Sequence, residues 1–135
     1  MQIIFFGSDD FAATHLKALL ESSHEIVACV TQPDRAKGRG MKDFSSPIKD
    51  LALTNNIPVF QPADYKSPAI SNDLQKFDAD LFVVIAYGRI LPKSILDLPK
   101  IFSINVHASL LPKYRGAAPI NWAIMHGEQE TGITI

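Results

Sequence analysis

Three stretches of this sequence put reactive side chains at spacings that chemistry could use. In Ile101-Phe102-Ser103-Ile104-Asn105-Val106-His107, the two-residue period of a strand sends Ser103, Asn105 and His107 to one side and Ile104 and Val106 to the other. An imidazole that can give, take or relay a proton thereby shares a face with an amide N–H donor. Near the carboxyl end of a central strand such groups are costly unless hydrogen-bonded or used, so two satisfied polar side chains fit the pattern as well as a reactive pair does. The second stretch is residues 32–46, where Arg35, Lys37, Arg39 and Lys42 alternate with Gly38 and Gly40. This positive charge is local, because 13 Lys+Arg against 14 Asp+Glu leave a formal net charge of -1. A flexible basic loop of this length suits phosphate contact and solvation equally. The third is Asp9-Asp10, a conceivable acid pair that helix capping and the helix dipole already explain.

Other candidates carry less chemistry. Cys29, the one cysteine, lies in an apolar run and reads as a small buried hydrophobe, so no internal disulfide and no cysteine metal cluster can form. His15, His24 and His126 show no ligand spacing and read as structural, and no metal is expected. Trp122 and Met125 fall on a helix flank and are expected to pack in the core.

The elements that must position these groups alternate. Gln2 to Phe6 is a short apolar run closed by Gly7, a strand buried on both faces. Ser8, Asp9 and Asp10 precede a helical stripe of Ala12, Leu16, Leu19 and Leu20. Glu25 to Thr31 returns as strand, and Val59-Phe60, Leu81 to Ala86 and Ile101 to Val106 supply more. Ser46-Pro47 and Ser67-Pro68 each place a capping hydroxyl before a proline suited to the first helical turn. A last helix is expected from Pro119 to His126. Alternation of this kind implies an α/β fold with parallel pairing and helices on both faces. In such sheets ligands bind beyond the carboxyl ends of the strands, but the first of these ends has no G-x-G-x-x-G, which disfavours a dinucleotide enzyme. No apolar run reaches the roughly 18 residues of a membrane span, mean hydropathy is +0.08, and a cytoplasmic location is expected.

Downstream of the Asn-x-His pair, Ala108-Ser109-Leu110-Leu111-Pro112-Lys113-Tyr114-Arg115-Gly116-Ala117-Ala118-Pro119-Ile120 resembles the signature of the folate-dependent formyltransferases. Thr31 to Arg35, Gly38-Arg39-Gly40, Ser46 to Lys49 and Glu130 to Thr134 extend the likeness over the whole chain and point to the family's methionyl-tRNA branch. The resemblance implies a three-layer Rossmann-like fold with a mostly parallel sheet, incomplete at the carboxyl end. It implies transfer of a formyl group from 10-formyltetrahydrofolate to the amino group of methionyl initiator tRNA, with Asn105 and His107 catalytic. It further implies that Ser109, Leu110, Leu111 and Pro112 contact the folate, that Tyr87, Gly88, Arg89, Ile90 and Leu91 border its pterin, and that Arg35, Lys37, Arg39 and Lys42 meet tRNA phosphates. Core packing alone would also account for Leu110, Leu111, Ile90 and Leu91. Arg115 and Gly116 fit either a turn or a ligand contact.

In the family an aspartate beyond the strand that begins around Ile133 orients the histidine, and nothing in these residues matches it. Residues 1–135 are therefore expected to be the amino-terminal portion of a formyltransferase catalytic domain, without its remainder or the carboxyl-terminal barrel. Two other readings stay open: an amino-sugar nucleotide formyltransferase, which shares Leu-Leu-Pro-Lys-Tyr-Arg-Gly, and a non-catalytic folate- or RNA-binding module.

Overall fold

Each helix of eight residues or more begins at a side-chain oxygen that takes up one of its unpaired N–H groups. In the computed structural model, Asp9 accepts from Ala12 N at 2.9 Å ahead of α1 (Asp10–Leu20). Ser46 accepts from Lys49 N at 3.1 Å ahead of α2 (Pro47–Thr54), and Ser67 from Ala69 N at 3.3 Å ahead of α3 (Pro68–Gln75). Both prolines therefore sit where a missing N–H costs nothing. The structure describes residues 1–37, 42–64 and 67–135, with the backbone alone at 35–37 and 42–44.

The strands are β1 (Gln2–Phe6), β2 (Glu25–Val30), β3 (Arg35–Lys37), β4 (Lys42–Phe44), β5 (Val59–Phe60), β6 (Leu81–Ile85) and β7 (Phe102–Val106). Five of them form a sheet in the order β5-β2-β1-β6-β7, with β1 parallel to both β2 and β6 and β2 parallel to β5. The reversal of strand order at β1 requires helices on both faces, and β1 is accordingly apolar on both: Ile3, Ile4, Phe5 and Phe6 are all buried. The helical stripes complete this core with Ala12 and Leu16, Ile48 and Ala52, and Ile70 and Leu74. Cys29 is buried there too, and desolvation pushes its thiol up to about 12, an unreactive small hydrophobe. Two short helices, α4 (Lys93–Leu96) and α5 (Pro119–Met125), complete the described elements.

The chain forms two compact units, residues 1–104 and 105–135. Among the described residues β7 is the last strand of the sheet order, and Asn105 on it is exposed. Two expectations change. Residues 35–37 and 42–44 of the basic stretch are strand and not loop: β3 and β4 pair antiparallel, with Arg35 opposite Phe44 and Lys37 opposite Lys42. Trp122 and Met125 are 46% and 72% exposed, and Ala123 is the buried residue of α5. A seven-residue helix that buries one alanine has no stripe wide enough to enclose an indole.

Candidate functional site

In the first unit, the carboxyl ends of β1, β2 and β6 meet in a polar network. Thr31, fully buried at the end of β2, shares a 2.8 Å hydrogen bond with Ser46 Oγ. Ser8 Oγ donates to Tyr87 O at 3.3 Å, and Gln32 Nε2 donates to the same carbonyl at 2.7 Å. Gln61 Nε2 reaches back to Gln32 O at 3.0 Å and to Asp34 Oδ1 at 2.7 Å, while Lys49 Nζ pairs with Asp34. Hydrogen bonds from Lys49 and Gln61 hold the Asp34 carboxyl below its ordinary range. Thr31-Gln32-Pro33-Asp34, noted in the sequence as a motif, thus ties the base of the β3–β4 ribbon to the turn after β6.

That turn contains five of the candidate folate residues. Tyr87 is buried at 2% exposure with its ring edge-on to Phe6, centroids 5.6 Å apart. Gly88 is exposed, Arg89 half-buried and Leu91 buried, whereas Ile90 is 88% exposed. Core packing therefore accounts for Leu91 and leaves Ile90 free for a ligand. Gly88 has φ +75°, and a Cβ there would lie 2.5 Å from Gln32 Nε2. We expect Gly88→Ala to cost about 2–3 kcal/mol, from roughly 1–2 for an L-residue in the left-handed region plus about 1 for the displaced hydrogen bond. Gly116, at φ +90° with nothing within 4 Å of its virtual Cβ, should show the conformational part alone. Urea unfolding of the two variants, measured side by side, checks the difference; equal losses would remove the Gln32 contact from the account.

The second unit holds the Asn-x-His pair. Asn105 is exposed and His107 half-buried. His107 Nε2 lies 2.9 Å from Tyr114 O. A carbonyl only accepts, so Nε2 carries a proton and Nδ1 is the nitrogen left to exchange one. The backbone of His107 is clasped by Thr134 through two 2.9 Å hydrogen bonds, His107 N to Thr134 O and Thr134 N to His107 O, an antiparallel bridge. Thr134 Oγ1 also donates to Ser109 O at 2.8 Å and accepts from Leu111 N at 3.1 Å. Gly132 permits the approach, since a Cβ there would lie 2.7 Å from Leu110 Cδ2. The Glu130 to Thr134 motif therefore braces, through Thr134, the loop after the histidine. Spacing could not reveal this, because the partners lie more than twenty residues apart.

Ser109 is fully buried and its hydroxyl donates to Lys113 O at 2.7 Å, so it closes the turn. Leu110 and Leu111 are 48% and 45% exposed, and Pro112 is exposed after a cis peptide bond. The leucines thus lie outside the core. Beside them a cavity of about 770 Å³ is lined by Leu110, Pro112, Tyr114, His126 and Glu128 among others. Tyr114 Oη donates to Glu128 Oε1 at 2.6 Å, Lys113 Nζ lies 3.1 Å from both Glu128 oxygens, and His126 Nδ1 is 3.2 Å from Tyr114 Oη. The phenol is held above its usual value, first by this hydrogen bond, and the Glu128 carboxyl below its own, by Tyr114 and then Lys113. Sequence reading missed Glu128 and Tyr114; nothing in a Tyr-x13-Glu spacing signals a contact.

Of the candidate nucleic-acid residues, Arg35 and Lys37 lie on β3 and Lys42 on β4, while Arg39 lies outside the described residues. His15 Nδ1 bonds Phe11 O at 2.8 Å within its own helix, as a structural histidine would.

The formyl transferase family profile matches residues 1–135. Among curated proteins the chain is 55% identical over 134 residues to a methionyl-tRNA formyltransferase of Alkaliphilus oremlandii and 54% identical to one of Pelotomaculum thermopropionicum. In both cases 99% of this chain aligns with 43% of the relative, so it spans less than half their length. Among solved structures, glycinamide ribonucleotide transformylase 1 of Geobacillus kaustophilus is similar at TM-score 0.76 and 25% identity, over 98% of this chain and 71% of that one. A formyltetrahydrofolate deformylase of Pseudomonas syringae shares the fold, at TM-score 0.73 and 22% identity over 98% of this chain and 44% of that one.

Proposed function

The chain belongs to the formyl transferase family, and from that premise we propose that it is the amino-terminal portion of the catalytic domain of an enzyme that formylates methionyl initiator tRNA from 10-formyltetrahydrofolate. The identity of 55% to a protein of that name supports the substrate assignment. The observation that carries the chemistry is His107 held by Nε2 beside an exposed Asn105.

The amine nitrogen of the methionyl group attacks the formyl carbon, and negative charge develops on the formyl oxygen. The Asn105 amide N–H donates to that oxygen, and His107, its Nε2–H being bound to Tyr114 O, donates to it through Nδ1 once Nδ1 has taken the proton that the amine loses. As the bond from carbon to N10 of the folate breaks, the proton lost by the amine is delivered to N10, with His107 Nδ1 as relay. In the second unit Leu110, Leu111 and Pro112 offer apolar surface that suits a folate; in the first unit, taken by itself, Ile90 offers apolar surface and the Tyr87–Leu91 backbone polar edges that suit a pterin. Ser109 contributes by shaping the loop. No metal enters this scheme. Formyl transfer by a complete enzyme carrying this segment, assayed with methionyl initiator tRNA and with an amino-sugar nucleotide, tests the reading. Preference for the sugar nucleotide would overturn it.

The basic ribbon is proposed to meet tRNA phosphates, with Arg35, Lys37, Arg39 and Lys42 as contacts. In the complete enzyme, Lys37→Ala and Arg39→Ala are expected to weaken tRNA binding without changing folate affinity. Each lost phosphate contact should lower the log–log salt slope by about 1. Binding titrations over a range of salt concentrations check this; an unchanged slope would remove the ribbon from the interface.

A further inference from the structure

The His107 imidazole is fixed by a carbonyl whose own position needs a cause. Tyr114 adopts φ 53°, a left-handed conformation that a bulky residue holds only when its surroundings impose it. Two restraints act on it. Ser109 Oγ binds the carbonyl of the preceding residue, Lys113, at 2.7 Å. From the other side, Glu128 takes the Tyr114 phenol at 2.6 Å and the Lys113 ammonium at 3.1 Å on both oxygens. A carboxylate thus grips two consecutive side chains of the turn, by charge-assisted hydrogen bonds stronger than neutral ones.

Resting on the proposed reading of His107 as catalytic, we infer that Glu128 and Tyr114 are positioning residues for it: the Glu128–Tyr114 hydrogen bond aligns the Tyr114 carbonyl that holds His107 Nε2–H and leaves Nδ1 as the proton-exchanging nitrogen. Glu128 has 26% side-chain exposure and lies on the segment after α5, so it links the end of that helix to the loop that carries the histidine. His126, tilted against both Tyr114 and Trp122 with centroids at 5.6 Å, flanks the phenol and does not replace Glu128 as its acceptor.

The test is made in the complete enzyme, with proton and nitrogen NMR of the labelled imidazole alongside steady-state kinetics. In the unaltered enzyme the His107 Nε2–H proton should be observable, because its hydrogen bond slows exchange with water. Tyr114→Phe and Glu128→Leu should each abolish that resonance and lower kcat by about two- to tenfold, as the competent ring orientation becomes one of several, with the KM for folate unchanged. Glu128→Gln keeps an acceptor for the phenol and should retain the resonance, a rescue that general loss of structure would not show. Persistence of the resonance at full intensity in both Tyr114→Phe and Glu128→Leu would overturn the inference. Failure of the catalytic reading would look different: His107→Ala would then keep normal turnover, whatever happened to the imidazole proton.

Discussion

Replacing His107 by alanine in a complete enzyme that carries this segment is expected to lower kcat by about 10²–10³ while leaving both substrate affinities near normal, because the lost interaction exists only in the transition state. Asn105→Ala should behave in the same way and by a similar factor. The physical basis is the shared target: both groups would donate to one developing oxyanion, and once either is gone the other can no longer be used fully. The double variant should therefore lose much less than the product of the two single losses. Single-turnover kinetics at saturating 10-formyltetrahydrofolate separate the chemical step from binding and release. Fully multiplicative effects, or a rise in KM with kcat intact, would show that the two residues do not act on one oxygen.

The sheet was legible because its signals are local. Runs such as Ile3 to Phe6 and Leu81 to Ile85 are buried on both faces and read as parallel strands from apolarity alone, and Ser-Pro at 46–47 and 67–68 marks helix starts by the chemistry of one turn. The short helix α4, with no side-chain cap and four residues, gave no such signal. The order of the strands was not legible either, since it is decided by pairing between segments far apart in sequence. The site divides along the same line. Period two places Asn105 and His107 on one face, and the loop motif that follows them carries the family likeness. What fixes the imidazole is instead a backbone carbonyl, at Tyr114, and what braces the loop is Thr134. A carbonyl has no residue type, so no pattern of side chains could have announced it.

Phe6→Ala is expected to destabilise the fold by about 3–5 kcal/mol, the range for deleting a fully buried phenylalanine. Phe6 is 1% exposed at the end of β1, tilted against Phe82 with centroids 5.2 Å apart and edge-on to Tyr87 at 5.6 Å. Its removal forfeits the transfer energy of the ring, opens a cavity between two neighbours that the sheet holds apart, and breaks two aromatic contacts worth about 0.5–1.5 kcal/mol each beyond their area. Set against a total of about 5–15 kcal/mol for a typical domain, this is a large fraction. Phe6→Leu fills most of the space and should cost only about 2 kcal/mol. Urea denaturation followed by circular dichroism gives both values, and a loss below about 1 kcal/mol for the alanine variant would mean that the site collapses freely around the gap. The consequence reaches the proposed ligand turn, because Tyr87 presents its carbonyl to Gln32 and Ser8 while its ring leans on Phe6. Under conditions where Phe6→Leu remains folded, a loosened Tyr87 ring should raise the KM for folate and leave kcat unchanged, the reverse of the signature expected for His107.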